Sequence, residues 1–253
     1  MNFFFDMSEC AYDMKRLWDG KRPHESDFYF FGRITAPADC LFLDVGANSG
    51  QSALSFCMNC PSGRVISFEP NSLYEPILRE IRESILGATR FSFFIEGCSD
   101  RTTTETLIVP VVNGVPYMQE ATTDRAQFSK PWVVDRLASY GKDLTFSELT
   151  IHVEPLDSHS LQPNFVKIDA EGGELAVLRG MKKTIHESLP IFLIENNDYH
   201  NVTPYLTEFG YNPYVWDAQR NLITLMTDPT TNCFYLRDDQ FRQYVVPTDL
   251  AKA

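Results

Sequence analysis

The sequence predicts an α/β fold, a mostly parallel, doubly wound sheet with helices on both faces. Short apolar runs recur at Leu41 to Val45, Arg64 to Phe68, Phe91 to Ile95, Phe165 to Asp169 and Pro190 to Glu195. Each has the length of a strand buried on both faces. Several are followed by helical patterns, and they close in carboxylates or amides, the edge at which open α/β sheets hold ligands. With 253 residues, 43% of them hydrophobic, the chain is long enough for one sizeable core. Residues 1–253 therefore read as a single domain carrying an N-terminal arm, 1–40, and an inserted segment, 101–154.

Composition excludes several classes. A net charge of −12 repels phosphate backbones and anionic membrane surfaces, so nucleic acid is a poor partner and a small-molecule or glycan acceptor a better one. The opening MNFFFDMSEC is too weakly apolar, and lacks the basic run, for a signal peptide or membrane span. Six scattered cysteines in a chain of this size suggest reduced thiols and a cytoplasmic setting. Cys57 and Cys60 form a lone CxxC, read as packing in preference to zinc or redox chemistry.

In the arm, Ala11, Met14, Leu17 and Trp18 mark a helix, and Phe28 to Phe31 is an aromatic run. Packing is the plain expectation for both; folding over a ligand as a lid is the sharper one. The first strand then runs into LFLDVGANSG, Leu41 to Gly50. Gly46 and Gly50 let backbone approach a ligand closely, and Asp44 at the strand end can accept hydrogen bonds from a cation or amine. A dinucleotide fingerprint needs glycines where Asn48 and Gln51 stand. Asp-x-Gly-x-Asn-x-Gly suits S-adenosylmethionine better, because its uncharged link between amino acid and ribose needs close packing more than a phosphate cradle. The second strand ends at Glu69, 19 residues beyond Gly50, placed to hold both ribose hydroxyls.

Ser72 to Glu75 has the form of a capping box, and Leu73, Ile77, Ile81 and Ile85 mark the next helix as far as Gly87. The turn after the third strand, Gly97-Cys98-Ser99-Asp100, lies beside the purine. Cys98 and Ser99 can line the ring and Asp100 accept its amine, though Ser-Asp is equally ordinary turn chemistry. From Arg101 to Glu154 the strand and helix alternation breaks down, with a strand at Thr106 to Val112, a hairpin turn at Asn113-Gly114, and a strand at Ile151 to Glu154. Tyr117, Phe128, Trp132 and Tyr140 either stack on an acceptor ring or pack against the sheet.

The second informative stretch is FVKIDAEGGELAVLRG, Phe165 to Gly180, followed by PIFLIE and Asn196-Asn197. Lys167, Asp169 and Glu171, with Glu195 and Asn196 on the next strand end, converge on one rim. Tyr211 to Trp216 and Cys233 to Arg237 read as a late hairpin forming an antiparallel edge.

FLDVGANSG, SFEPN, GCSD, PLDS, VKIDAEGGELAVLRGM and PIFLIEN, in this order from about Cys40 to Asn197, resemble the FkbM family of S-adenosylmethionine-dependent methyltransferases. The resemblance implies a Rossmann-like class I sheet of seven strands ordered 3-2-1-4-5-7-6, one of them antiparallel. It also implies O-methylation of sugar or polyketide hydroxyls. Pro70, Asn71 and Asp169 complete the expected cofactor set. Two catalytic schemes stay open. In one, Asp169, Glu195 and Asn196 hold magnesium or manganese. In the other, Glu171 or Asp169 is a general base and Lys167 orients it or steadies the alkoxide. The competing classes are an NAD-dependent oxidoreductase, for which no hydride-transfer set is evident, and a non-catalytic cofactor-binding scaffold.

Overall fold

The computed structural model describes residues 7–244, so the reading of the first six residues lies outside it. Its main sheet has eight strands: β1 (Leu41–Val45), β2 (Arg64–Phe68), β3 (Phe91–Phe94), β8 (Phe165–Ile168), β9 (Ile191–Glu195), β10 (Tyr211–Asp217), β11 (Leu222–Leu225) and β12 (Asn232–Arg237). The intervening strands β4 (Gly97–Cys98), β5 (Thr103–Val112), β6 (Val115–Pro116) and β7 (Leu144–Glu154) build a second sheet. The main order is β3-β2-β1-β8-β9-β12-β10-β11. Seven strands thus follow the expected 3-2-1-4-5-7-6 series, and β11 adds an eighth at the edge. Two strands run antiparallel to the rest instead of one, β12 between β9 and β10, and β11 beyond β10. The expected late hairpin of Tyr211 to Trp216 with Cys233 to Arg237 is corrected accordingly. These strands do pair, but β12 is inserted against β9, and Leu222–Leu225 supplies the edge.

Period-two alternation explains why strands so apolar are buried on both faces. Phe42, Phe165, Ile191 and Leu193 enter one core layer, while Leu43, Val166, Ile168, Phe192 and Ile194 enter the other. The aromatic run of the arm forms a short 3-10 helix, Ser26–Gly32, whose Phe28, Phe30 and Phe31 are buried in the first layer. Phe31 meets Phe42, Phe56 and Phe165 edge-on at 5.2–5.5 Å, a geometry that aromatic quadrupoles favour. Packing is therefore the observed role of these phenylalanines. Cys57 and Cys60 are buried as well, and Cys60 lies against Cys40, Sγ to Sγ 3.3 Å.

The arm holds α1 (Met7–Gly20); after β1 the chain enters α2 (Gln51–Asn59), and after β2 it enters α3 (Glu75–Glu80), continued to Leu86 in wider π geometry. The cap of this second crossover is Asn71, whose Oδ1 accepts Leu73 N–H at 3.1 Å, and not Ser72. In the insertion, β5 and β7 pair over ten positions from Thr103↔Val153 to Val112↔Leu144. Both turn residues of the β5–β6 hairpin have positive φ, Asn113 at 52° and Gly114 at 81°, as a tight Asn-Gly turn requires. Between β6 and β7 lies α4 (Pro131–Tyr140).

Candidate functional site

The first glycine-bearing turn owes its path to alternating left-handed residues, Gly46 at φ 79°, Asn48 at 52° and Gly50 at 86°. Asn is the non-glycine residue that tolerates this region best, which accounts for Asn48 where a dinucleotide site has glycine. What the two glycines make room for differs from the sequence expectation. A Cβ on Gly46 would stand 1.8 Å from the Asp169 carbonyl oxygen, and one on Gly50 would stand 2.5 Å from Ile81 Cδ1. Gly46 locks the β1 turn to the end of β8, and Gly50 lets α2 pack on α3. Only Gly46 also lines the cavity above.

Asp44 is likewise placed differently. It is fully buried under the turn, in register with Ser67 on β2 and Lys167 on β8. Ser67 Oγ donates to its Oδ2 at 2.9 Å, and its Oδ1 has no partner. Burial raises the Asp44 carboxyl, with the Lys167 charge acting against that. A buried row Ser67, Asp44, Lys167 thus underlies the cavity floor.

That cavity, of about 260 Å³, lies over the carboxyl ends of β1, β2 and β8. One wall carries Asn48, Glu69, Pro70, Asn71, Cys98 and Ser99. Glu69 Oε2 accepts from Asn48 N–H at 2.7 Å and Oε1 from Asn71 N–H at 2.8 Å. Each oxygen keeps a second lone pair for a ligand hydroxyl while tying the two turns together. Burial pushes this carboxyl up to about 7, against the pull of those amides. The Asn71 Nδ2 group is buried without a partner, a donor still to be satisfied. Asp100 is the exception in the expected set. It lies outside the lining, exposed and 3.5 Å from Arg101, because α5 (Glu174–Gly180) packs onto the Ser99-Asp100 backbone. Gly180 permits that approach, since a Cβ there would stand 1.8 Å from the Ser99 carbonyl oxygen.

The opposite wall is charged. Lys167, 5% exposed, donates from Nζ to Asp169 Oδ2 at 2.9 Å. Burial alone would lower the ammonium, but Asp169 and Asp44 outweigh it and hold Lys167 above its ordinary value. Burial would likewise raise Asp169, yet Lys167 keeps it low. Glu171 has φ 50° and is followed by Gly172 at 98°, two successive left-handed residues in a loop closed by Glu174. The buried Glu174 Oε1 accepts Gly172 N–H at 2.9 Å and Ala170 N–H at 3.3 Å. The strained Glu171 carboxylate is pushed up to about 7 by burial and then by Asp169. Glu195, at the end of β9, is raised to about 8 by burial and by the Asp169 charge.

Oxygens of Asp169, Glu171 and Glu195 lie within 4.8 Å of one another, the one group of potential ligating side chains of this kind among the described residues. Asn196, the third expected ligand, lines neither cavity; its Nδ2 donates to the Thr230 carbonyl at 2.7 Å, toward the loop before β12. The three carboxylates are hard donors, but the ammonium of Lys167 already neutralises Asp169, the most acidic of them.

Two residues that the sequence did not single out, His24 and Glu25, reach this cavity from the arm. His24 N–H donates to Ser55 Oγ at 3.0 Å, and its Nδ1 lies 2.8 Å from the same oxygen. Burial, then the Lys167 charge, lowers the imidazole to about 3, leaving it neutral. A lone histidine in a polar stretch before an aromatic run carried no spacing signal. From the insertion come Met118, Ala121 and Thr122.

A second cavity of about 280 Å³ adjoins the first and shares Glu171, Gln119, Ala121 and Thr122 with it. Glu195, Trp132, Phe128 and Arg136 line this second space. Tyr117 and Tyr140, by contrast, stack on each other at 4.2 Å beside the small core of Val112, Val133 and Leu137.

Fold and cavity together describe an α/β protein of the methyltransferase kind, with its site where the strand order reverses between β1 and β8. The methyltransferase FkbM domain matches residues 44–213, more than half of the chain, and the chain belongs to that family. Comparison with curated proteins finds no match. Among solved structures, a methyltransferase FkbM from Methylobacillus flagellatus is similar at 19% identity and a TM-score of 0.50, over 81% of this chain and 47% of that one. This chain therefore spans about half the length of that protein. A precorrin-6y C5,15-methyltransferase from Geobacter metallireducens is similar at 12% identity and a TM-score of 0.40, covering 81% and 82%. The Podospora anserina methyltransferase PaMTH1 is similar at 13% and 0.39, covering 94% and 98%. Among the described residues no helix is long and apolar enough to cross a membrane.

Proposed function

We propose that the chain transfers a methyl group from S-adenosylmethionine to a hydroxyl of a sugar, glycan or related small metabolite, in a cytoplasmic setting. The observation that carries this reading is the cavity with two unlike walls: amide and carboxylate groups suited to a nucleoside on one side, a lysine-anchored set of acids on the other. The cofactor's polar groups fit the wall that is present. Glu69 offers free lone pairs to ribose hydroxyls, Asn71 offers its unsatisfied Nδ2, and Cys98 and Ser99 line the stretch of cavity that a purine would occupy. Bound there, the cofactor supplies an electrophilic sulfonium methyl.

The chain's own task is alignment and proton removal. Glu171 is the best-placed base. It faces both cavities, and its carboxyl, held near 7, exchanges a proton readily at neutral pH. Asp169, kept ionised by Lys167, holds Glu171 basic through like-charge repulsion. Glu195, protonated at neutral pH, shares a hydrogen bond with Asp169 and limits the charge gathered at the rim. The metal version would place magnesium or manganese on Asp169, Glu171 and Glu195. Chelation followed by metal add-back separates the two: turnover that survives chelation supports the base.

Calorimetry with S-adenosylmethionine, S-adenosylhomocysteine and NAD tests the cofactor. Binding of the first two at one site, without NAD, is expected; NAD binding alone would move the chain to the oxidoreductases. Methyl transfer persisting in Asp169→Asn, Glu171→Gln and Glu195→Gln would remove the catalytic role of this rim.

A further inference from the structure

Cys57 and Cys60 spell a CxxC, but the fold pairs Cys60 with a different cysteine. Cys40, the residue before β1, places its Sγ 3.3 Å from the Sγ of Cys60, the residue that ends α2. Adjacent residues hold the two backbones: Gly63 N–H donates to the Cys60 carbonyl at 3.0 Å, and Arg64 N–H donates to the Cys40 carbonyl at 2.9 Å. The sulfurs meet over Gly63, where a Cβ would stand 3.2 Å from each of them. Glycine there leaves the space that the two sulfurs share. This pair lies at the opposite end of β1 from the Gly46 to Gly50 turn.

Two sulfurs fall short of the four ligands of a zinc site, and among the described residues only the carboxylates at the rim have metal-ligand spacing. A covalent bond asks for less. A disulfide is about 2.0 Å long, so the sulfurs have roughly 1.3 Å to close, within the reach of side-chain torsions. Access and acidity then distinguish them. Cys40 is fully buried, whereas Cys60 is 7% exposed and is followed by the exposed Pro61 and Ser62. A hydrogen bond from Cys40 holds the Cys60 thiol below its ordinary value against burial, helped by Gly63 N–H and the Arg90 charge. Burial pushes Cys57 up to about 12. The thiolate is the reactive form of cysteine, so Cys60 reacts first.

We propose that Cys40 and Cys60 form an oxidation site whose oxidant is hydrogen peroxide and whose product is a disulfide joining the start of β1 to the end of α2. The Cys60 thiolate attacks one peroxide oxygen, the O–O bond breaks, and the displaced hydroxide takes up a proton and leaves as water. The Cys40 sulfur then attacks the resulting sulfenic sulfur. Its proton goes to the departing hydroxyl, which leaves as a second water. Two electrons pass from the sulfurs to the peroxide, and a thiol reductant reverses the bridge.

The full reduced chain is treated with hydrogen peroxide at low protein concentration, free thiols are blocked with iodoacetamide, and peptides are mapped without reduction. A Cys40–Cys60 peptide pair is expected, lighter by two hydrogen atoms than its separate halves and parted by dithiothreitol. In Cys40→Ser, Cys60 should stop at the sulfenic acid and be trapped by dimedone. In Cys60→Ser, Cys40 should stay a thiol under the same exposure, and Cys57→Ser should still form the bridge. The bridged parent should melt several degrees above the reduced one, because the bond closes a span of 20 residues in the unfolded chain. Mapping of the parent decides the matter even where a serine variant fails to fold. No Cys40–Cys60 pair, a bridge from Cys60 to Cys57 instead, oxidation of Cys60 past the sulfenic acid with Cys40 left free, or a bridge that lowers the melting temperature would overturn the proposal.

Discussion

The two walls of the main cavity are built on opposite principles. On the β1–β2 side backbone hydrogen bonds fix the groups in place: Glu69 clasps two backbone amides and Asn71 Oδ1 caps its own turn, leaving Asn71 Nδ2 and the spare Glu69 lone pairs for a ligand. On the β8 side Asp169 and Glu171 crowd beside one ammonium and Glu171 sits in a left-handed conformation; Glu69 and Glu171 are both raised to about 7, Glu69 chiefly by burial while bound to two amides, Glu171 by burial and then by the Asp169 charge. A binding surface gains from preorganised groups, because little reorganises when ligand arrives. Proton transfer needs a group poised between two states, and crowding of like charges supplies that poise.

The comparison is broken most directly at the charged wall. Glu171→Gln should lower methyl transfer by roughly 10²–10⁴-fold, and Asp169→Asn should lower it comparably. Calorimetric affinity for S-adenosylmethionine should stay within a few-fold in both. A large loss of cofactor affinity instead would show that the two walls are not functionally separate.

Gly46→Ala strikes the hinge between the walls. Its methyl would collide with the Asp169 carbonyl and would also sit at φ 79°. A loss of about 3 kcal/mol or more is expected, read as a fall in melting temperature of roughly 6–12 °C. Gly172→Ala, at φ 98° but with open space around it, should cost only about 1–2 kcal/mol. Equal effects would mean that conformation, not the close approach, constrains Gly46.

On the β1–β2 wall, Glu69→Gln turns an amide donor toward one of the two backbone N–H groups. Unfolding free energy should fall by about 1–3 kcal/mol, and cofactor affinity should fall with it, while the pH profile of turnover keeps its shape. That profile sharpens the contrast. As the proposed base, Glu171 would have to lose its proton to act, so turnover should rise with pH through a limb centred near 7, and the limb should vanish from the residual activity of Glu171→Gln.

The smallest effect concerns stability. The folded Glu195 carboxyl, at about 8, lies above its ordinary 4.5. Between those values the fold binds the extra proton, so this group's contribution to stability declines as pH rises through that window. Glu195→Gln mimics the protonated form, and its melting temperature should gain on the parent by about 2 °C between pH 5 and pH 9. A gain that does not change with pH would assign the effect to packing.

The sequence by itself determined the central strands, the two glycine-bearing turns and the family, because buried parallel strands write themselves as continuous apolar runs and left-handed turns demand Gly or Asn at fixed offsets. Asn48, Glu69, Cys98, Ser99, Lys167, Asp169, Glu171 and Glu195 were legible as cavity-lining groups for that reason: each stands at or near a strand end, or in the turn that follows it. Tertiary structure alone decided what those groups touch. It buried Asp44 beneath the site, turned Asp100 and Asn196 away from it, gave Gly46 to the Asp169 carbonyl, and carried His24 from the arm to the cavity over a sequence distance no local pattern encodes. It also placed β12 inside the sheet and β11 at its edge, since an apolar run reports burial but not which neighbour it pairs with. The second cavity belongs to this category too, because its walls come from an insertion helix and two separate strand ends that only packing brings together.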